Sequence, residues 1–134
     1  MGILSKDAIL SADDLKKQVV SVPEWGGDVI VRTMMASERD EFEQSLVTRD
    51  DTGKLVANTQ GAGVRLVALT VVDEGGALLF TQADIEALSR KSSLALARIT
   101  EVAETLSGIG AKAKEAAAKN SEAAPSGADS SASQ

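Results

Sequence analysis

The sequence predicts an α+β domain that is mainly helical: an N-terminal β-hairpin packed on about four helices, followed by a disordered C-terminal tail. Three observations carry this. β-Branched runs flank Pro23-Glu24-Trp25-Gly26-Gly27; an amphipathic period runs from Leu94 to Leu106; and no Val, Leu, Ile, Met or aromatic residue follows Ile109. The expected boundaries are a single domain over residues 1–107 and an Ala/Ser/Gly-rich tail over residues 108–134.

Ser5 is placed to cap a short helix through Leu10, because a Ser oxygen can accept from the exposed N–H groups of a first turn. From Lys17 the period changes. In KQVVSVPEWGGDVIVRTM, Val29 and Val31 alternate against Ile30 and Arg32, as a half-buried strand does. Pro23 stiffens the end of the first strand, and Gly26 and Gly27 permit a positive φ where the chain reverses. Trp25, the only Trp in a chain with no Tyr and two Phe, then sits at the turn. There it either covers the core or anchors a partner.

ASERDEFEQSL reads as a surface helix with Ser37 at its N-cap, acidic residues in the first turn, and Phe42 facing inward with Leu46 four residues on. The polar stretch Thr48 to Gly63 is too long for a tight turn; it is either mobile or ordered against something. The apolar run Val64 to Val72 suits helix or strand by length. We expect a helix, because Val64, Val67, Ala68 and Val71 then share one face. After a turn at Gly75-Gly76 and an extended piece to Phe80, Thr81 with Asp84 three residues later forms a capping signature. Phe80 and Ile85 stand at staple positions around it. A last helix begins near Ser92 or Ser93 and ends at Gly108.

Charge and composition exclude several function classes. Residues 1–107 hold 17 acidic and 11 basic side chains and residues 108–134 hold 3 of each, so the whole formal charge of −6 lies in the folding part. Such a surface repels phosphate backbones, and nucleic acid is not an expected partner. With no Cys and no His, thiolate and imidazole metal ligands and the usual general base near neutral pH are missing. Asp51-Thr52-Gly53 matches the aspartic-protease tripeptide but lies between polar residues, where a plain turn is the simpler reading. Asp50-Asp51 and Asp73-Glu74 lack calcium-loop spacing. We therefore expect no catalytic residues, no cofactor and no metal, and a molecule that works by contact. The start MGILSKDAIL followed by SADDLKK has neither the long apolar core of a signal peptide nor that of a spanning helix, so no membrane association is expected.

VPEWGG, ERDEFE and LFTQADIEAL, in this order and flanked by ADDL and KNSEAAPSG, resemble the tail assembly chaperones of long-tailed (siphovirus-type) bacteriophages over residues 1 to about 127. The resemblance implies a small helical protein in the cytoplasm of the infected bacterial host. Such a protein coats the tape measure protein, helps tail tube subunits polymerise around it, and is absent from the mature virion. It also implies a longer frameshifted product that engages the tail tube protein. Lys119-Asn120 can be encoded as a slippery heptamer, which makes it the candidate frameshift position; an ordinary low-complexity tail is the alternative. The candidate partner contacts are Trp25, Gly26, Gly27, Arg39, Phe42 and Leu46, with self-association as a homo-oligomer a further expectation. A structural virion protein of the tail or head–tail connector is the competing reading, and a host-directed adaptor a third.

Overall fold

A computed structural model describes residues 2–109, and the expected tail with Lys119 and Asn120 lies outside them. Within these residues α1 (Lys6–Ser11) leads to a hairpin of β1 (Lys17–Val22) and β2 (Gly27–Arg32), joined by a 3-10 turn over Pro23–Trp25. Then come α2 (Ala36–Ser45), β3 (Val47–Arg49), β4 (Leu55–Ala57), α3 (Ala62–Thr70) and β5 (Val71–Val72). A second 3-10 turn (Gln82–Asp84) runs into α4 (Ile85–Leu88), and α5 (Ser93–Ser107) closes the domain. The expected α+β, mainly helical class is the one observed.

The hairpin forms where the β-branched residues put it. Lys17 pairs with Arg32 and Val22 with Gly27, antiparallel throughout, and β5 adds a short third strand beside β2. Gly26 takes the left-handed conformation, φ 75°, which a Cβ would make costly, and its N–H donates to Pro23 O at 3.0 Å. Val20, Val22, Val31 and Val71 point to one face, where α5 lies across β1 and β2 and packs on α3. Ile99, Ala95 and Ala103 of α5 meet Leu66 and Val67 of α3 in that layer, all close to fully buried. Small residues on α5 let the helix approach the sheet closely, and Ile99 supplies the volume. The chain stays on the core as far as Ile109, whose N–H donates to Glu104 O at 2.8 Å.

Four local expectations are corrected. The α2 helix starts at Ala36 with Met35, not Ser37, at the N-cap, because Glu38 reaches back to accept the Met35 N–H at 2.8 Å. Arg32, alternating with the buried Val31, does not face solvent. It is 3% exposed, forked onto both oxygens of Glu38 at 2.5 and 2.7 Å, with Nη1 donating to Gly76 O at 3.4 Å. The second face of the sheet at that end is thus covered by the start of α2 and the 73–77 turn. The polar stretch after α2 is a β-hairpin, Val47 opposite Ala57, and not an irregular loop. Its tip is organised by Asp50, whose Oδ1 accepts from Thr52 N, Thr52 Oγ1 and Lys54 N, holding the carboxyl below its ordinary pKa, chiefly through the Thr52 hydroxyl. Finally, the apolar run is helical only to Thr70; Val71 and Val72 leave it to join the sheet. The turn residues Asp51-Thr52-Gly53 are exposed, as the plain-turn reading requires.

The capping expectations hold elsewhere. Ser5 accepts from Ala8 N at 3.1 Å, Ser92 from Ala95 N at 3.2 Å, and Gly108 ends α5 at φ 70°. Asp84 accepts from Thr81 N at 2.8 Å, and the helix it starts is one 3-10 turn followed by a single α-turn.

Candidate functional site: an acidic-rimmed apolar groove

A groove of about 340 Å³ opens between α2, α3 and the 78–85 segment. Phe42 of α2, Ala68 and Leu69 of α3, and Leu78, Phe80 and Ile85 of the third wall give it an apolar lining. The sequence explains the walls. Phe42 faces inward from an otherwise charged helix, and the capping residues Thr81 and Asp84 turn the chain between Phe80 and Ile85 so that both reach the same trough.

The polar groups in the lining are already engaged within the fold. Ser45 Oγ donates to Phe42 O at 2.6 Å and accepts from Arg65 Nε at 2.8 Å. The remaining Arg65 donors go to Gln60 O, Asn58 O and Ser45 O, so this guanidinium ties the C-terminal end of α2 and the end of β4 to the start of α3. A cation among carbonyls at a helix C-terminus is favourably placed. Glu41 differs. It accepts from Gln82 Nε2 at 3.3 Å across the groove and has no cationic partner among the described residues.

The sequence candidates fall in two places. Trp25 and Gly26 sit at the hairpin end with Gly27 opening β2; Trp25 is half-buried against the core, and neighbouring Glu24 forks onto Arg98 of α5 at 3.0–3.2 Å. That pairing lowers the Glu24 pKa and raises that of Arg98. Arg39, Phe42 and Leu46 lie on or just after α2. Arg39 donates to Ser107 O at 2.8 Å, at the far end of α5, about 13 Å along the helix from Arg98. The two groups are thus tied to α5 at different points along its length. Of the six, Phe42 lines the groove, while Leu46 packs on the core. Sequence reasoning did not select Glu41, Leu69, Leu78, Phe80 and Ile85 as contacts; the staple positions of Phe80 and Ile85 were the available signal.

Two further apolar surfaces are open. No residue of α1 is buried, and Ile3, Leu4, Ile9 and Leu10 are all exposed, forming an N-terminal arm without cover in the monomer. The β3–β4 hairpin likewise exposes every residue, Val47, Leu55 and Val56 included. Isolated two-stranded hairpins and uncovered amphipathic arms gain little from burial by themselves, so both are poised to gain from a partner. Among the described residues no group of three or more acidic side chains is placed to hold a metal ion, and no helix is long and apolar enough to cross a membrane.

The fold thus leaves an apolar groove, an N-terminal arm and a hairpin open, surfaces available for contact with other chains. The chain matches the phage tail assembly chaperone family over residues 5–120 and belongs to that family. Among solved structures, the bacteriophage HK97 tail assembly chaperone superposes with a TM-score of 0.52 at 16% identity, covering 83% of this chain and 91% of that one, a likeness of fold. No curated protein sequence matches.

Proposed function

We propose that this chaperone acts on the tape measure protein. It covers that protein's apolar surface in the cytoplasm of the infected host, helps tail tube subunits polymerise around it, and leaves before the virion is complete. What supports the reading is the combination of family membership with the open apolar groove and arm on an acidic body. Apolar contact surfaces bind a greasy client, while net negative charge keeps the complexes apart. The hydroxyls of Ser45 and Thr81 hold structural bonds, which favours a non-catalytic role.

Trp25 with Gly26 and Gly27, and α2 with Arg39, Phe42 and Leu46, are the proposed contact regions, the second through the groove that Phe42 lines. The bare N-terminal arm supports self-association of the coat. A longer product made by slippage at Lys119-Asn120 would link the coat to the tube protein. Mass spectrometry of purified virions tests the reading: the protein is expected to be missing, and stoichiometric presence would make it a structural component. Reading the gene at Lys119-Asn120 tests the slippage, which an AAG AAT coding would remove.

A further inference from the structure

We infer that the groove between α2, α3 and the 78–85 segment receives an amphipathic helix whose apolar residues are flanked by lysine or arginine. This rests on the client reading above and names the chemistry of the client segment. Shape and chemistry favour a helix over a small polar ligand. Small-molecule sites set orientation with convergent free polar groups. Here Ser45, Arg65 and Thr81 spend theirs on the fold, and what remains open is the apolar trough of Phe42, Leu69, Phe80 and Ile85. Apolar anchors one helical turn apart fill such a trough.

Charge selects the flank. The wall helix α2 carries Glu38, Asp40, Glu41 and Glu43 against Arg39 alone. Glu38 is consumed by Arg32, and Glu43 by Arg39. The nearby cation Arg65 is consumed by carbonyls. That leaves Asp40 and Glu41, of which only Glu41 lines the groove, so the uncompensated charge at the mouth is the Glu41 carboxylate, held toward the groove only by a neutral amide. A cationic side chain can replace Gln82 there with a stronger, charge-assisted bond, whereas an anionic flank would meet repulsion.

The chain offers its own site-specific probe, because Phe42 and Phe80, its only two phenylalanines, both line the groove, while the only Trp sits in the hairpin turn and is not part of the lining. The full chain, labelled with fluorophenylalanine, is titrated with a Leu/Lys amphipathic peptide of about five helical turns and with its Leu/Glu counterpart. The expected result is a shift of the fluorine signals by the Leu/Lys peptide with Trp25 emission unchanged, and affinity about tenfold or more above that for Leu/Glu. Glu41→Lys should invert that preference, and Asp13→Lys, the same charge change on the N-terminal arm, should leave it within about twofold. Leu69→Gln should weaken both peptides. Unmoved fluorine signals, or equal affinity for both peptides, would overturn the inference. Signals that depend on protein concentration and change when residues 2–11 are removed would overturn it too, by showing a second copy's arm in the groove. The client reading fails separately: peptide binding without capture of co-expressed tape measure protein leaves the groove chemistry intact and removes its client, and capture that is indifferent to Glu41→Lys does the reverse.

Discussion

Removing the Glu38 carboxylate should be among the most damaging single changes available outside the apolar core. In Glu38→Ala, Arg32 keeps its charge in a site where only 3% of its side chain is exposed, and its Nε already lacks a partner. Both short bonds to Glu38 go, leaving the 3.4 Å contact to Gly76 O. Breaking a buried ion pair from one side costs about 3–5 kcal/mol. Glu38 retains 13% exposure, so water can reach the vacated position, and the lower end, about 3 kcal/mol, is expected. Met35 also loses its acceptor, but it is exposed and water replaces it at little cost. For a domain of this size that is a fall in Tm of about 12–20 °C. Urea unfolding followed by circular dichroism measures it, with Arg32→Met/Glu38→Leu as the second arm. The double variant should recover most of the loss, because two packed apolar side chains leave no charge stranded. A loss below about 1 kcal/mol, or a double variant as unstable as the single one, would show that this pair is solvated and does not lock α2 to the sheet.

Other expectations follow from the same structure. Ile99→Ala, at a position with no exposure between the sheet and α3, should cost about 2–5 kcal/mol by chemical denaturation, against about 0.5 kcal/mol or less for Leu94→Ala on the exposed face of α5. Trp25→Ala removes a half-buried side chain and should lower stability by about 2 kcal/mol with native far-UV circular dichroism retained; capture of the tape measure protein then shows whether the indole is also a contact. Deleting residues 2–11 should leave the unfolding free energy unchanged, since no residue of α1 is buried, and should reduce self-association measured by light scattering. Glu24 and Asp50 have folded pKa values below their unfolded ones, so the stability they contribute is complete above the unfolded carboxylate range and is lost as pH falls through the lower folded values. Acid titration should therefore change Trp25 emission only once the pH has fallen below the ordinary glutamate range, and Glu24→Gln should remove that transition.

Much of the fold was legible because local chemistry and tertiary packing agree. Ser5 and Ser92 cap where the caps were expected, Gly26 and Gly108 take the left-handed conformation that only the turn or helix end demands, and Thr81 with Asp84 starts the helix that Phe80 and Ile85 flank. Failures occurred where a distant group decides. Arg32 alternates with buried Val31 and reads as solvent-facing until Glu38 and the 73–77 turn fold over it; nothing in a strand's own period records a cover from elsewhere. The β3–β4 hairpin hides in polar composition because its residues are all exposed and its tip depends on one carboxylate, Asp50. Val71 and Val72 end α3 because β2 supplies a strand edge, a long-range choice that an apolar run cannot announce. The groove was the least visible, since its walls lie on three separate stretches and only Phe42 stood out as an inward residue on a charged helix.

The most direct measurement of the central claim is co-expression of the tape measure protein with and without this chain, followed by the soluble yield and composition of what is purified. A soluble complex containing both proteins, with the tape measure protein insoluble when alone, is the expected result. A tape measure protein equally soluble in either case, or insoluble in both, would contradict the claim that this acidic domain works by covering another chain's apolar surface.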